Sequence, residues 1–452
     1  MKEHFYFDNA ATTWPKPEPI YQFMDRLFRQ YGVNPGRAGR EMSVAAEGMV
    51  TETRRLLAQF FGFTGDPNRV VFSLNATDSL NTAIGGLVGA GDHMVITRLE
   101  HNSVLRPANH LERDHGVSVA RIQGDGAGYV DPDDIRRAIR PETRAVVVNH
   151  ASNVLGCVQD IAAIGRVVAE TDAVFIVDTC QTAGVLPIDM EACGIDVLVF
   201  TGHKGLFGPM GIGGMVVAEG IEIRPVRVGG TGVDSISPLQ PDVFPFRLEA
   251  GTPPLPGIAG LNAAQKWFAD LGRGQLASDG ETASHHVACQ AALAHVLECE
   301  RAHINHLIEA FQSIDGVVVY GPGKDQARVA TLSINIGDLP ADQAGAMLDA
   351  DHGVCVRPGL HCAPPCPRRP GTDPAERRGP VLTGFLYGPG RPRPSGRGRI
   401  RTGGVRRRPP SCQNGDSRRI TRDAPRPAVA RRLGVSTHSG IHFAGAQKRP
   451  LK

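Results

Sequence analysis

The chain has 452 residues, 41% of them hydrophobic and 21% charged, with a formal net charge of +3. These are the proportions of a globular protein with room for two or three domains. No apolar stretch approaches the roughly 20 residues that span a bilayer, which excludes an integral helical membrane protein. The nine cysteines are scattered without a CxxC pair. Cys362 and Cys366 are spaced CxxxC but lack a second ligand pair, so no metal is expected, and scattered cysteines suit a reducing compartment. The start, Met1 to Asp8, has neither a signal-peptide core nor an Arg-rich transit pattern, so a cytoplasmic location is expected. The last roughly 90 residues carry about twenty Arg and few acids, a split that often marks a nucleic-acid or membrane tail.

From about residue 66 to 220 short apolar runs alternate with amphipathic stretches. The runs are Arg69 to Phe72, His93 to Ile96, Val117 to Ala120, Ala145 to Val148, Ala173 to Val177 and Val197 to Phe200. Helices are predicted over Ser79 to Val88, Ser103 to His115 and Ile161 to Glu170. This pattern predicts an α/β fold whose mostly parallel sheet is covered on both faces. Residues 258 to 312 read as mostly helical. Strands follow over Gly316 to Tyr320 and Val329 to Ile336, then a helix from Ala341 to Leu348 and the segment Gly353 to Arg357, the start of a smaller α+β domain. After Pro364 the chain is dominated by Arg, Pro and Gly and loses periodicity. Such a composition cannot bury enough surface to offset its ordering entropy and predicts a disordered tail.

Ligands in parallel α/β sheets bind at the carboxyl ends of the strands, and five such ends carry chemistry. Lys204 follows the run Val197 to Phe200 on a glycine-rich turn. Desolvation there would lower its pKa and suit it to a Schiff base with the aldehyde of pyridoxal phosphate (PLP). Asp178 ends another run, where a carboxylate pairs with a protonated pyridine nitrogen; it equally fits a helix cap. Gln181 is spaced to reach the ring hydroxyl, while Cys180 reads as packing. Ser73 to Ser79 opens a helix whose amides and hydroxyls suit a phosphate, with Asp78 either a repulsive neighbour or a capping device. His101 is placed to stack on a planar ring and relay protons, or to serve structurally. Asn153 is placed to hydrogen-bond a ring substituent, and His203 to bind phosphate or orient the loop.

The motifs resemble those of class V, fold-type I PLP enzymes, and among them the cysteine desulfurases of the Suf-like group. The matching stretches are Phe7 to Thr13, Asn75 to Ser79, Glu100 to Ser103, His150 to Asn153, Val177 to Gln181, Thr201 to Lys204, Arg247 to Pro253 and Arg357 to Ala363, in family order. The resemblance implies a PLP-dependent transferase fold of type I. It divides the chain into an N-terminal arm (1–15), a large PLP-binding domain (16–257), an incomplete small domain (258–364) and the tail (365–452). It implies that Lys204 carries the cofactor, Asp178 pairs the pyridinium, Gln181 faces the ring oxygen and His101 stacks. Ala76, Thr77, Thr201 and His203 would hold the phosphate. Gly251 and Thr252 would reach a neighbouring subunit's phosphate in a homodimer with shared sites.

Cys362 selects the reaction within that family. A mobile thiolate can attack the sulfur of cofactor-bound L-cysteine and leave an enzyme persulfide and L-alanine. Cys362 lies in a Gly/Pro-flanked loop beside His361 and Arg357, whose positive charge would favour thiolate; outside this context it would read as an ordinary loop cysteine. Arg357 and Asn153 are the candidate substrate contacts, and a sulfur-acceptor protein is the implied partner. Whether that acceptor serves iron–sulfur cluster assembly or thio-modification is open.

Family members follow the Cys loop with a helix and a strand resembling Val-Arg-Phe-Ser-Pro-Gly-Phe, whose arginine grips the substrate carboxylate. Here Gly379 to Leu386 stands instead. One set of codons that would encode that segment, GGT CCG GTT CTC ACC GGG TTT CTT with freely chosen third bases, reads Val-Arg-Phe-Ser-Pro-Gly-Phe when shifted by one base. Residues from about 365 onward are therefore read as a frameshifted C-terminus, with PLP binding retained and turnover poor. Sequencing the gene tests this. The alternatives are another class V enzyme, a selenocysteine lyase or an aminotransferase, and an inactive PLP-fold protein whose basic tail binds nucleic acid, a reading disfavoured because the tail lacks interleaved aromatics.

Overall fold

The computed structural model describes residues 4–36, 41–276 and 280–363. The Arg-rich segment, Cys366 and the frameshift reading lie outside the described residues.

The expected apolar runs form the sheet. Strands β2 (Val70–Ser73), β3 (His93–Thr97), β4 (Ser118–Ile122), β5 (Thr143–Asn149), β6 (Val174–Asp178), β7 (Val197–Thr201) and β8 (Gly213–Val217) lie in the order β2-β8-β7-β6-β5-β3-β4. The β4-β3-β5-β6-β7 pairings are parallel, while β8 runs antiparallel to both β7 and β2. Two reversals return β2 to the direction of β7, so the carboxyl ends of β2, β3, β5, β6 and β7 share one edge. That edge is where α/β sheets bind ligands.

Side chains alternate between two cores with a period of two. Val146, Val148, Phe175, Val177, Leu198 and Phe200 enter one core. Ala145, Val147, Val174, Ile176, Val197 and Val199 enter the other. Burial on both faces is why these strands read as continuous apolar runs. The second core is roofed by α3 (Ala76–Leu87) and α4 (Asn102–His115), through Leu80, Ile84, Val104 and Leu111. The first is covered by α2 (Glu41–Phe60), α6 (Ile161–Val168), α7 (Leu255–Arg273) and α8 (His285–Gln312).

A third cluster joins Ile304 and Ile308 of α8 to Leu332, Ile334 and α9 (Ala341–His352). There β9 (Val317–Tyr320) pairs antiparallel with β10 (Ser333–Ile336). The expected strand from Val329 is strand only from Ser333. Val329 N–H donates to Gly156 O at 2.9 Å, so the preceding residues tie to the 150–158 loop and not to β9. One pairing had no local signal: β1 (Phe5–Tyr6) lies parallel to β11 (Val354–Cys355), joining the N-terminal arm to the end of the described chain.

Among the described residues no helix is long and apolar enough to cross a membrane.

Candidate active site

The shared strand edge opens into a cleft of about 260 Å³ that contains Lys204. Ala76 and Thr77 begin α3 there, and a helix's first amides lack intrahelical acceptors. Asn75 caps the helix by accepting from Asp78 N–H at 3.0 Å. The Asp78 carboxylate accepts from Leu74 N–H at 3.2 Å and from Arg227 at 2.9 Å, so Asp78 is a capping device with its charge paired. Gly213 lets α3 press on the sheet edge. A Cβ at Gly213 would stand 2.7 Å from Asn75 C and 2.9 Å from Ala76 N.

His101 is the N-cap of α4. Its Nδ1 accepts from Ser103 N–H at 3.1 Å, which puts the proton of the neutral ring on Nε2. Burial is the main cause lowering its pKa, with Lys204 and Arg106 adding to it and Asp178 opposing. The ring is therefore neutral near pH 7. Asp178 ends β6, and its carboxylate accepts from Cys180 N–H at 2.9 Å. It thus caps a turn while lining the cleft. Beneath His101, Glu100 is fully buried. It accepts from Thr97 Oγ1 at 2.7 Å and Asn149 N–H at 3.0 Å. Desolvation pushes its pKa up to about 8 against those two hydrogen bonds, with Asp178 adding repulsion.

Lys204 is half-buried and follows β7. The carbonyl before it, that of His203, is held by the N-terminal arm. Thr13 N–H, Thr12 Oγ1 and Lys16 Nζ donate to it at 3.1, 3.2 and 3.1 Å. The arm also places Ala10 and Ala11 in the cleft, and Ala10 O accepts from Gln181 Nε2 at 3.1 Å. Burial holds His203 at about 4, Lys204 and Lys16 adding to it. This clamp was missed in the sequence, where Phe7 to Thr13 marked only a resemblance.

Cys362 is exposed and lines the same cleft. Its carbonyl accepts from Asn102 N–H at 2.8 Å, docking the loop on the first turn of α4. The preceding carbonyl, of His361, accepts from Asn153 Nδ2 at 2.6 Å. Both His361 (φ 51°) and Cys362 (φ 58°) are left-handed, a costly conformation for non-glycine residues that those two bonds hold in place. Arg357 also lines the cleft, with its fork bidentate on Asp8: Nε to Oδ1 3.0 Å and Nη2 to Oδ2 2.9 Å. Its charge is paired, so a substrate carboxylate would have to displace Asp8.

The cleft thus gathers Ala76, Thr77, His101, Asn153, Asp178, Thr201, His203, Lys204, Arg357 and Cys362, with Gln181 adjoining through Ala10. It does not include Gly251 and Thr252. These exposed residues line a second cleft of about 330 Å³ beside the pair of buried Arg54 and half-buried Glu249, 2.8 Å apart.

A family model described as aminotransferase class-V matches residues 5–293 and 283–378. The chain belongs to that family. A relative from Methanothermobacter thermautotrophicus, named a probable cysteine desulfurase, is 33% identical over 81% of this chain and 86% of its own length. Among solved structures, the apo cysteine desulfurase of Thermococcus onnurineus NA1 superposes with a TM-score of 0.70 at 30% identity, covering 80% of this chain and 86% of that one. A cysteine desulfurase of Escherichia coli gives a TM-score of 0.65 at 25% identity over 80% and 86%. Class-V enzymes as a family use PLP, and the type I fold expected from the motifs agrees with these neighbours.

Proposed function

We propose that this chain is a PLP-dependent cysteine desulfurase that moves the sulfur of L-cysteine onto Cys362 and releases L-alanine. The observation that carries this reading is an exposed thiol in the cleft of Lys204, on a loop clamped by Asn102 and Asn153. The cofactor fits the residues present. Asn153 Oδ1, Gln181 Oε1, Thr201 Oγ1 and His203 Nδ1 are buried polar atoms without hydrogen-bond partners. Each such atom costs about 1–3 kcal/mol, which a polar ligand relieves. Thr77, Thr201, His203 and the start of α3 would hold the phosphate. Asp178 would pair the ring nitrogen, Gln181 the ring oxygen, His101 the ring face, and Lys204 the aldehyde carbon.

When bound, PLP supplies an electron sink conjugated to the substrate's α-carbon. The chain's own residues do the rest. His101, in the cleft, holds a proton at Nε2 that it could pass to or from substrate, and Asn153 and Arg357 are the candidate grips on substrate. The Cys362 thiolate attacks the substrate sulfur. An S–S bond forms as the C–S bond breaks, and the C–S electron pair is taken up with a proton at the substrate carbon. L-Cysteine and the Cys362 thiol become L-alanine and a Cys362 persulfide, with no outside oxidant. An acceptor thiol then removes the outer sulfur. Gly251 and Thr252, exposed in their own cleft, support a homodimer with shared sites, and a cytoplasmic setting suits a free thiol.

Single-turnover mixing of the PLP-loaded full chain with L-cysteine tests this. One alanine per chain is expected, with none from Cys362→Ser at unchanged cofactor content, and loss of tightly held cofactor in Lys204→Ala. Equal alanine from Cys362→Ser would refute the thiol mechanism and favour another class-V reaction.

A further inference from the structure

Where the arm meets the end of the described chain, three side chains of different chemistry converge away from the cleft. His4 precedes β1, Asp349 lies in the last turn of α9, and Cys355 is in β11. Their donor atoms all lie within 4.8 Å of one another. His4 Nδ1 is 3.9 Å from Asp349 Oδ1, and Cys355 Sγ is 3.8 Å from the same oxygen. The backbone holds them in register: Phe5 N–H donates to Gly353 O at 2.8 Å and Phe7 N–H to Cys355 O at 2.9 Å.

We propose that His4, Asp349 and Cys355 bind a divalent transition-metal ion of the zinc type, with water as the fourth ligand. Zinc bonds of about 2.0 Å to nitrogen and oxygen and about 2.3 Å to sulfur set tetrahedral edges of roughly 3.3–3.6 Å. The two separations to Asp349, 3.9 and 3.8 Å, exceed those edges by about half an ångström or less, and the third lies within 4.8 Å, distances that side chains exposed or half-exposed can close by rotation. One nitrogen, one sulfur and one carboxylate oxygen suit zinc and disfavour calcium and magnesium, which take oxygen ligands. The carboxylate and thiolate balance the ion's two charges, and the thiol proton passes to solvent on binding. Such an ion bolts the arm to α9 and β11. The same arm carries Asp8, which grips Arg357, and Thr12 and Thr13, which hold the carbonyl before Lys204. The metal therefore orders the cleft's N-terminal wall from outside it.

The test is a cobalt(II) titration of the PLP-loaded full chain in a Cys362→Ser background, which removes the cleft thiol. We expect a thiolate-to-cobalt absorption band at one equivalent, displaced by zinc. Cys355→Ser should abolish it, and His4→Ala and Asp349→Asn should weaken binding at least tenfold at unchanged PLP content. Zinc should also slow amide exchange over residues 4–13 in the parent and not in Cys355→Ser. A band that survives Cys355→Ser, or affinities in His4→Ala and Asp349→Asn equal to the parent's, would overturn the proposal.

Discussion

Glu100→Gln isolates the electrostatics beneath the cleft. The Glu100 carboxyl is raised from 4.5 to about 8, mainly by burial. A carboxyl raised on folding favours the native state fully below its unfolded pKa, and that advantage is lost as pH rises through the folded value. At 1.36 kcal/mol per unit, the wild type should lose about 2–3 kcal/mol of stability from this group between pH 6 and pH 9. Glutamine keeps the oxygen that accepts from Thr97 and Asn149 and cannot ionise. Urea unfolding of both proteins at pH 6 and pH 9 reads the difference, since all other titrations cancel between them. The variant should gain on the wild type by about 2–3 kcal/mol at the higher pH. A stability difference that does not move with pH would refute a neutral, desolvated Glu100.

Gly213→Ala drives a Cβ to within 3 Å of the Asn75 and Ala76 backbone. It should cost about 1–3 kcal/mol in a thermal melt and weaken PLP affinity measured by fluorescence; an affinity unchanged within twofold counts against the α3 phosphate seat. Asp8→Asn releases Arg357. Their pair is partly exposed, at 47% and 17%, so the melt should shift by less than about 1 kcal/mol, while KM for L-cysteine falls because the guanidinium is freed; an unchanged KM would remove Arg357 as a substrate grip.

The sheet was legible because its causes are local. A strand buried on both faces must be apolar at every position, and runs such as Ala145 to Val148 could satisfy nothing else. The helix opened by Ser73 to Ser79 was legible from its hydroxyls and amides, but its cap, Asn75, and the cap of α4, His101, were not. The strand-end residues followed, because the fold's direction puts every carboxyl terminus on one edge. The direction of β8 was not legible, since Gly213 and Gly214 carry a loop's composition and become strand only when β2 and β7 flank them. Nor was the start of β10, expected at Val329 and found at Ser333, because the Val329 backbone donor is taken by Gly156.

The sequence by itself determined the apolar strands and which candidate side chains follow each of them. Only the tertiary structure decided how they are held. Asp8 and Arg357, Thr13 and His203, Asn102 and Cys362, and His4 with Asp349 and Cys355 each join segments far apart in the chain. No period or motif encodes such pairs, because their closeness comes from burial elsewhere: once both sheet faces are covered and β1 lies on β11, the arm has no other course.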